Sequence, residues 1–194
     1  NPLFAFLTPA FVQDETGNMF PGRGPVVGYA AVQDTARVMS MLRNPQISGM
    51  FPRNMRLLWN VKPARGTTDL HELVAIREST RDGRAPLTGE VITDARQDYS
   101  NTGQVEITMA MNAEGARTWR RMTADNIGRS IAIVLDDFVY SFPTVQNEIS
   151  GGRSQITGQF TIQEAQDMAN ILKAGSLPAP ARIVEEATVG PALG

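Results

Sequence analysis

The chain has 194 residues, of which 42% are hydrophobic and 20% charged, so it can form one large domain or two small ones. A net charge of −2 at pH 7 and a pI of about 5.5 argue against a nucleic-acid-binding protein, which usually presents a basic face. Cysteine is absent, which excludes disulfides, thiolate catalysis and cysteine-bound zinc.

Neither a metal site nor a membrane-spanning helix is expected. The sequence has one histidine, His71, and metal sites need clustered ligands. Unbroken apolar runs such as residues 3–7 and 131–135 are far shorter than the roughly 20 residues of a membrane helix. The chain also begins at Asn1 rather than at a methionine, so we expect a soluble piece cut from a longer protein.

The first half of the chain is predicted to contain three strands. A loop rich in glycine and proline covers residues 17–25, and the strands are predicted over residues 26–32, 55–61 and 72–78. Residues 79–86 are small and charged and include Gly and Pro. This segment is therefore the best candidate for a domain boundary.

One helix is predicted between the first two strands. Asp34 is its candidate N-cap, because a short side-chain oxygen can accept from the first free amides. Val38, Met41 and Leu42 would share its apolar face. The helix should end at Asn44, since the residue before a proline avoids the helical region.

The second half begins with a predicted half-buried strand and a helix. Residues 104–111 alternate apolar and polar side chains, with Glu106 on the polar side. Asn112 can cap the following helix, and Gly128 is placed to end it in the left-handed conformation. The expected apolar stripe of this helix comprises Ala116, Trp119, Met122 or Thr123, and Ile127.

A hairpin and a further strand follow. Residues 130–142 read as two short strands joined by Asp136-Asp137, a two-residue turn in which aspartate tolerates positive φ. Residues 151–160 supply the next strand.

The last predicted helix opens with a capping box. The Thr161 side chain would accept from the Glu164 amide while the Glu164 carboxylate accepts from the Thr161 N–H. Gly175 and Pro178 would close the helix.

From residue 104 the order is strand, helix, hairpin, strand, helix and a last strand at 183–187, close to a split βαβ, ferredoxin-like arrangement with an extra strand. The predicted fold class is α+β, with mixed but mainly antiparallel sheets.

No group of residues indicates an enzyme or a cofactor. Asp136 and Asp137 fill turn positions, and Glu185-Glu186 lies in a strand that sends the two side chains to opposite faces. The glycine pairs at residues 22–24 and 151–153 do not open a helix, so they predict no phosphate site. We therefore expect a binding or mechanical module rather than an enzyme.

Two apolar groups are candidates for polypeptide binding. Met39, Met41 and Met50 surround the first helix and its exit, and methionine-rich surfaces adapt to varied apolar peptides. Phe138, Tyr140 and Phe142 are predicted to share one face of a hairpin strand. For both groups the alternative is an ordinary role as core packing.

Several short motifs in one order resemble a known family. They are "NAEGA" at the start of a helix, "IAIVLD" followed by "VYSFP", "GGRSQITGQF", "EAQDMANIL", "AGSLPAP" and "VGPALG". Together they span about residues 89–194, and residues 1–85 match only loosely. The sequence resembles the large periplasmic domain of SecD, or of the fused SecDF, which are accessory subunits of bacterial Sec protein export.

The resemblance implies a division into base and head. Residues 1–85 with 178–194 would form a discontinuous base subdomain, and residues 86–177 a head subdomain. Hinges would then lie near Gly83 and Pro86 and near Gly175 and Pro178.

The resemblance also implies a place and a set of partners. The domain would face the periplasm at the bacterial inner membrane as part of a multi-pass protein. It would capture unfolded secretory preprotein, working with SecF or a fused SecF half, the SecYEG channel and membrane helices of the same protein. Those helices would carry the proton relay, so the chain itself implies no cofactor, no metal and no nucleic acid.

Two other functions stay open from the residues alone. An RRM-like domain that binds RNA on its sheet surface is the main alternative, because split βαβ folds include that class. Only Arg153 and the arginines at 117, 120 and 121 support it. A hydrolase would need a catalytic cluster that the sequence does not show.

Overall fold

The computed structural model describes residues 2–175. The α-helices are α1 (Thr35–Leu42), α2 (Pro45–Ser48), α3 (Ala113–Asp125) and α4 (Ile162–Ala174). Short 3-10 turns occupy Pro2–Ala5, Val32–Asp34 and Gly89–Val91. The strands are β1 (Thr8–Pro9), β2 (Phe11–Gln13), β3 (Met19–Pro21), β4 (Val26–Ala31), β5 (Met55–Pro63), β6 (Leu70–Arg77), β7 (Ile92–Tyr99), β8 (Val105–Met111), β9 (Ile133–Leu135), β10 (Phe138–Ser141) and β11 (Arg153–Thr157).

The largest of the three sheets in residues 2–175 has six strands in the order β1-β4-β6-β5-β10-β9. Its described neighbours are antiparallel except β10 and β5, which run parallel with Val139 opposite Asn60. The β9–β10 hairpin, which is far along the chain, thus extends a sheet made mostly from the first half.

Side chains of the six-stranded sheet alternate between two apolar faces, as the period of two requires. Trp59 and Leu73 point to the face covered by α1, where they meet Val38 and Leu42. On the other face, Leu58 and Val74 are register partners, and Val139 packs with them to form a second cluster. Both faces of this sheet are therefore used.

A second sheet has three strands in the order β11-β8-β7, all antiparallel. Its apolar face is covered by α4, which contributes Ala165, Met168 and Ala169. The strand residues buried against that helix are Ile92, Ala95, Ile107, Met109, Met111 and Ile156.

The third sheet is an isolated ribbon of β2 and β3 near the start of the chain. Its apolar side chains are about half exposed. They are Phe11, Val12, Met19 and Phe20.

The predicted α+β class is confirmed, and the main elements lie where the patterns placed them. Asn112 accepts from the Gly115 amide at 2.8 Å and caps α3. The capping box of α4 is also formed. The Glu164 amide donates to Thr161 Oγ1 at 3.2 Å, and the Thr161 amide donates to Glu164 Oε2 at 2.9 Å.

Local details differ from the predictions at three residues. Asp34 makes no side-chain cap, because the Val32–Asp34 turn runs directly into α1. Ile127 is 54% exposed because α3 already ends at Asp125. Gly128, at φ +77°, then turns the chain away. Glu106 is only 5% exposed although it lies on the polar side of β8, and Gln155 Nε2 donates to it at 3.1 Å.

The ferredoxin-like detail is not confirmed. A split βαβ fold would keep the β9–β10 hairpin with the strands around β8, but β10 bonds to β5 instead. The strand predicted at residues 183–187 and the hinge residue Pro178 lie outside the described residues. No helix within residues 2–175 has the length and apolarity to cross a membrane.

Candidate functional site

A cleft of about 830 Å³ lies between the two larger sheets. One wall is the six-stranded sheet, and the other is built from α3, the end of α4 and the three-stranded sheet. Apolar side chains line much of it. They include Leu58, Val74, Ile76, Trp119, Met122, Ile133, Leu135, Phe142 and Leu172. Such a lining suits an apolar ligand.

Two polar contacts between residues outside the cleft lining also join elements of the two walls. Lys62 Nζ on β5 lies 3.3 Å from Glu164 Oε1 on α4. Arg65 donates to the Gln159 side chain at 2.7 Å. The Arg65–Gln159 contact is exposed and the Lys62–Glu164 pair is half-buried, so each adds about 1 kcal/mol or less.

Arg56 links three elements beside the cleft. Its guanidinium lies 3.4 Å from Glu78, just after β6, and donates to Asp137 in the β9–β10 turn at 2.6 Å. Because Arg56 itself lies on β5, the contact ties the hairpin tip to the strand that β10 pairs with.

The three predicted aromatic residues do not share one environment. Phe138 is 44% exposed, Tyr140 packs on the core of the three-stranded sheet, and Phe142 packs with Leu58 and Val139. A register shift between Val139 and Ser141 breaks the regular alternation on which the prediction of one shared face rested. Only Phe142 of the three lines the cleft.

The three predicted methionines lie elsewhere. Met39 and Met41 pack against the cluster on the α1 face of the six-stranded sheet, which is the face opposite Leu58 and Val74. Met50 is 81% exposed. The structure therefore does not bring the methionines together with Phe142, and polypeptide binding by either group stays a prediction.

Three of the predicted hinge residues surround the cleft: Gly83, Pro86 and Gly175. Gly83 has φ +71°, a conformation that favours glycine. Gly175 lies so close to Gly89 that a Cβ added at Gly89 would overlap its backbone. Hinge motion at these positions stays a prediction.

Trp119 is the main cleft residue that was not predicted from the sequence as a binding residue. It lies on α3, packs partly on the core of the three-stranded sheet, and keeps its Nε1 buried without a hydrogen-bond partner in the described part of the chain. The sequence did place it on the apolar stripe of α3. What the pattern could not show was that this stripe faces a second sheet across a cleft.

The titratable groups do not suggest acid–base catalysis. Among residues 2–175, no three His, Asp or Glu side chains come together in a metal-binding group. The Thr161 N–H lowers the pKa of Glu164. Burial opposes this effect, and Lys62 adds to it. Hydrogen bonds from Thr16 and Asn18 likewise lower the pKa of Asp14. A general acid at neutral pH needs a raised pKa, so these groups act as stable carboxylates.

Comparison with known families shows which protein family the chain belongs to. The family described as "SecDF, P1 head subdomain" matches residues 73–179. A protein translocase subunit SecD from Rhodothermus marinus is 44% identical over 198 residues, covering 100% of this chain. The chain belongs to the SecD family. This confirms the resemblance predicted from the sequence motifs.

Other SecD relatives match a smaller part. The SecD of Calditerrivibrio nitroreducens is 42% identical over 111 residues, or 57% of this chain. The chain spans 29% of the Rhodothermus protein and 22% of the Calditerrivibrio protein. Both relatives are named as protein translocase subunits.

A solved structure is also similar. SecDF from Thermus thermophilus, described as a translocon-associated membrane protein, aligns with 89% of this chain and 29% of its own length, at 20% identity and a TM-score of 0.46.

Proposed function

We propose that this chain is the periplasmic part of a SecD-type translocase subunit and that it captures unfolded preprotein as it emerges from the Sec channel. It would do so at the periplasmic face of the bacterial inner membrane. Its partners would be SecYEG and SecF, or a fused SecF half. Membrane helices outside residues 1–194 would couple the capture to the proton motive force.

The observation that carries this proposal is the apolar cleft. At about 830 Å³ it has room for a few side chains of a client but not for a folded domain. Its walls are mainly aliphatic and aromatic, and its charged lining residues are Arg56, Arg77, Glu78 and Arg84. An unfolded segment exposes apolar side chains that a folded protein hides, so this site would select unfolded clients.

The arrangement of the walls supports a movable site. The wall formed by the six-stranded sheet meets the other through Tyr140, which packs on the core of the three-stranded sheet, and through two polar contacts, Lys62–Glu164 and Arg65–Gln159. The loop at residues 78–89, which lines the cleft, contains the predicted hinge residues Gly83 and Pro86. A change of angle between a base and a head would widen or narrow the cleft and release the client.

Site-specific photo-crosslinking in the full-length protein tests capture. A photoreactive residue at Phe142, which lines the cleft, should form an adduct with a secretory precursor stalled during export. The matched control is Ala36, an exposed residue of α1 on the opposite side of the six-stranded sheet. Equal adducts at the two positions, or none at Phe142, would contradict the proposal.

A further inference from the structure

The four outer edges of the two larger sheets differ in how they are protected. β1 has two residues and includes Pro9, which has no N–H to offer. β7 carries Asp94, Arg96 and Asp98, and β11 carries Arg153 with polar neighbours. Proteins commonly protect exposed strand edges in these ways, because an open edge can pair with another chain.

The edge formed by β9 is short, like β1, but it has no charged residue and no proline. Its three residues, Ile133 to Leu135, are uncharged and apolar and include no proline. In the described part of the chain, β10 is its neighbour on one side and no strand lies on the other. Val134 is 40% exposed.

The hairpin register shows which backbone groups face outward. In a hairpin with a two-residue turn, the residues that flank the turn form a hydrogen-bonded pair, here Leu135 and Phe138. The next pair, Val134 and Val139, is then a non-hydrogen-bonded pair. The N–H and C=O of each point away from the hairpin.

The two members of that pair have different neighbours. Val139 turns its backbone toward β5, in agreement with its pairing to Asn60. Val134 turns its N–H and C=O toward the outer edge of β9, where no strand of residues 2–175 lies. A donor and an acceptor are thus presented together at the spacing that an added strand requires.

We propose that an extended segment of unfolded polypeptide adds to the outer edge of β9 as a further strand. This inference rests on the proposed function and names its mode of recognition. Backbone hydrogen bonds would provide binding that does not depend on the client sequence, and alternate side chains would enter the cleft. The position suits both roles, because all three residues of β9 line the cleft.

The charges near the edge favour an apolar client segment. At the turn end of β9, Asp137 is paired with Arg56, and the strand itself carries no charge. An uncharged segment could therefore lie along β9 without leaving a charge unpaired, whereas a charged segment would be desolvated against an apolar cleft wall.

The test uses the intact chain and two fluorescein-labelled ten-residue peptides of alternating valine and threonine. One peptide is unmodified and the other is N-methylated at alternate amides, which keeps the side chains but prevents strand pairing. Fluorescence anisotropy should show the N-methylated peptide binding about tenfold more weakly, as expected when backbone hydrogen bonds are lost.

Two variants at one position complete the test. Val134→Pro removes the outward N–H and should weaken binding of the unmodified peptide by about tenfold, while Val134→Ala keeps the N–H and should stay within about threefold of the parent. Equal weakening by both variants would overturn the inference, since it would assign binding to the side chain. If Val134→Pro fails to fold, the two peptides still decide the question.

The outcomes separate this inference from the proposed function. Equal binding of both peptides, with a crosslink at Phe142, would overturn strand addition and leave capture in the cleft intact. Absence of both peptide binding and the crosslink would overturn both. A dimer in sedimentation velocity that Val134→Pro dissociates would identify a second copy as the occupant and would also overturn the inference.

Discussion

Two consecutive aspartates adopt left-handed backbone conformations and thereby fix the β9–β10 turn. Asp136 has φ 50° and Asp137 has φ 62°, as a type I′ turn demands at both central positions. Aspartate tolerates this region better than most residues, which is why the sequence could predict the turn. The register derived for Val134 follows directly from these two residues.

Glu164 is a single residue with two stabilising roles. It accepts from the Thr161 N–H at the start of α4 and pairs with Lys62 across to β5. The first contact lowers its pKa most, burial opposes that effect, and Lys62 lowers it further. Ionised Glu164 is thus favoured in the folded chain over the unfolded chain.

The stability that Glu164 contributes depends on pH. Because the folded pKa is below the unfolded value of about 4.3, the stabilisation is fully present above that pH and is lost as the pH falls through the folded pKa. In urea unfolding, the stability difference between the parent and Glu164→Gln should be constant from pH 7 to about 5 and should then decline toward pH 3.

Lys62→Met is the control for this pH effect. Since the Thr161 N–H is the largest single cause, a decline should persist when the Lys62 ammonium is removed. A decline that disappears in Lys62→Met would show that the ion pair, rather than the helix cap, stabilises the carboxylate.

At the scale of elements, the two facing valines of the β9–β10 hairpin are buried to different extents and should contribute unequally to stability. Val139 is fully buried in a cluster with Leu58 and Val74, whereas its cross-strand partner Val134 is 40% exposed. Val139→Ala should lower the free energy of unfolding by about 2 kcal/mol, because it leaves a cavity in that cluster. Val134→Ala should change it by less than about 0.5 kcal/mol.

Urea denaturation of the two valine variants checks the parallel pairing of β10 with β5. The pair is well matched, since both changes remove the same atoms from facing positions of one hairpin. Similar, small losses for the two variants would mean that β10 does not pack against β5 in solution.

The elements that the sequence predicted well have regular patterns. β8 and α4 repeat apolar residues at periods of two and of three to four, and α4 also has its capping box. β7 was missed because a register shift between Ile92 and Asp94 interrupts the alternation and most of its other residues are polar. A similar shift between Val139 and Ser141 separates Tyr140 from Phe142.

The residues that line the candidate cleft could not be predicted from the sequence patterns, for a different reason. Its residues come from both halves of the chain, and each pattern shows only that a face is apolar. Phe142 and Trp119 were both expected to be apolar contacts, but their position on facing walls depends on β10 joining β5. Pairing between distant strands leaves no local signal.

For the molecule as a whole, the proposed division into base and head can be tested by limited proteolysis. The loop between β6 and the Gly89–Val91 turn contains two exposed arginines, Arg81 and Arg84. Within residues 2–175, trypsin should cut first after one of these. The two fragments should still co-elute, because β10 is bonded to β5 and Lys62 to Glu164.

Arg81→Gln/Arg84→Gln is the matched control and should delay the first cut, as followed by mass spectrometry and gel filtration. A first cut elsewhere in residues 2–175 would argue against a boundary in this loop. Fragments that separate at once would show that the contacts between the sheets are too weak to hold base and head together.

The late position of β10 in the chain also has a consequence for the order of folding. Arg56 and its hairpin partner Asp137 are 81 residues apart, so β1, β4, β5 and β6 can pair before the residues that complete their sheet have been synthesised. Until then Leu58 and Val74 are exposed on the edge and face of an unfinished sheet. We therefore expect a slow final folding phase in which the hairpin closes a long loop. The chain is prone to aggregation until that phase is complete, because the apolar surface of the unfinished sheet is exposed.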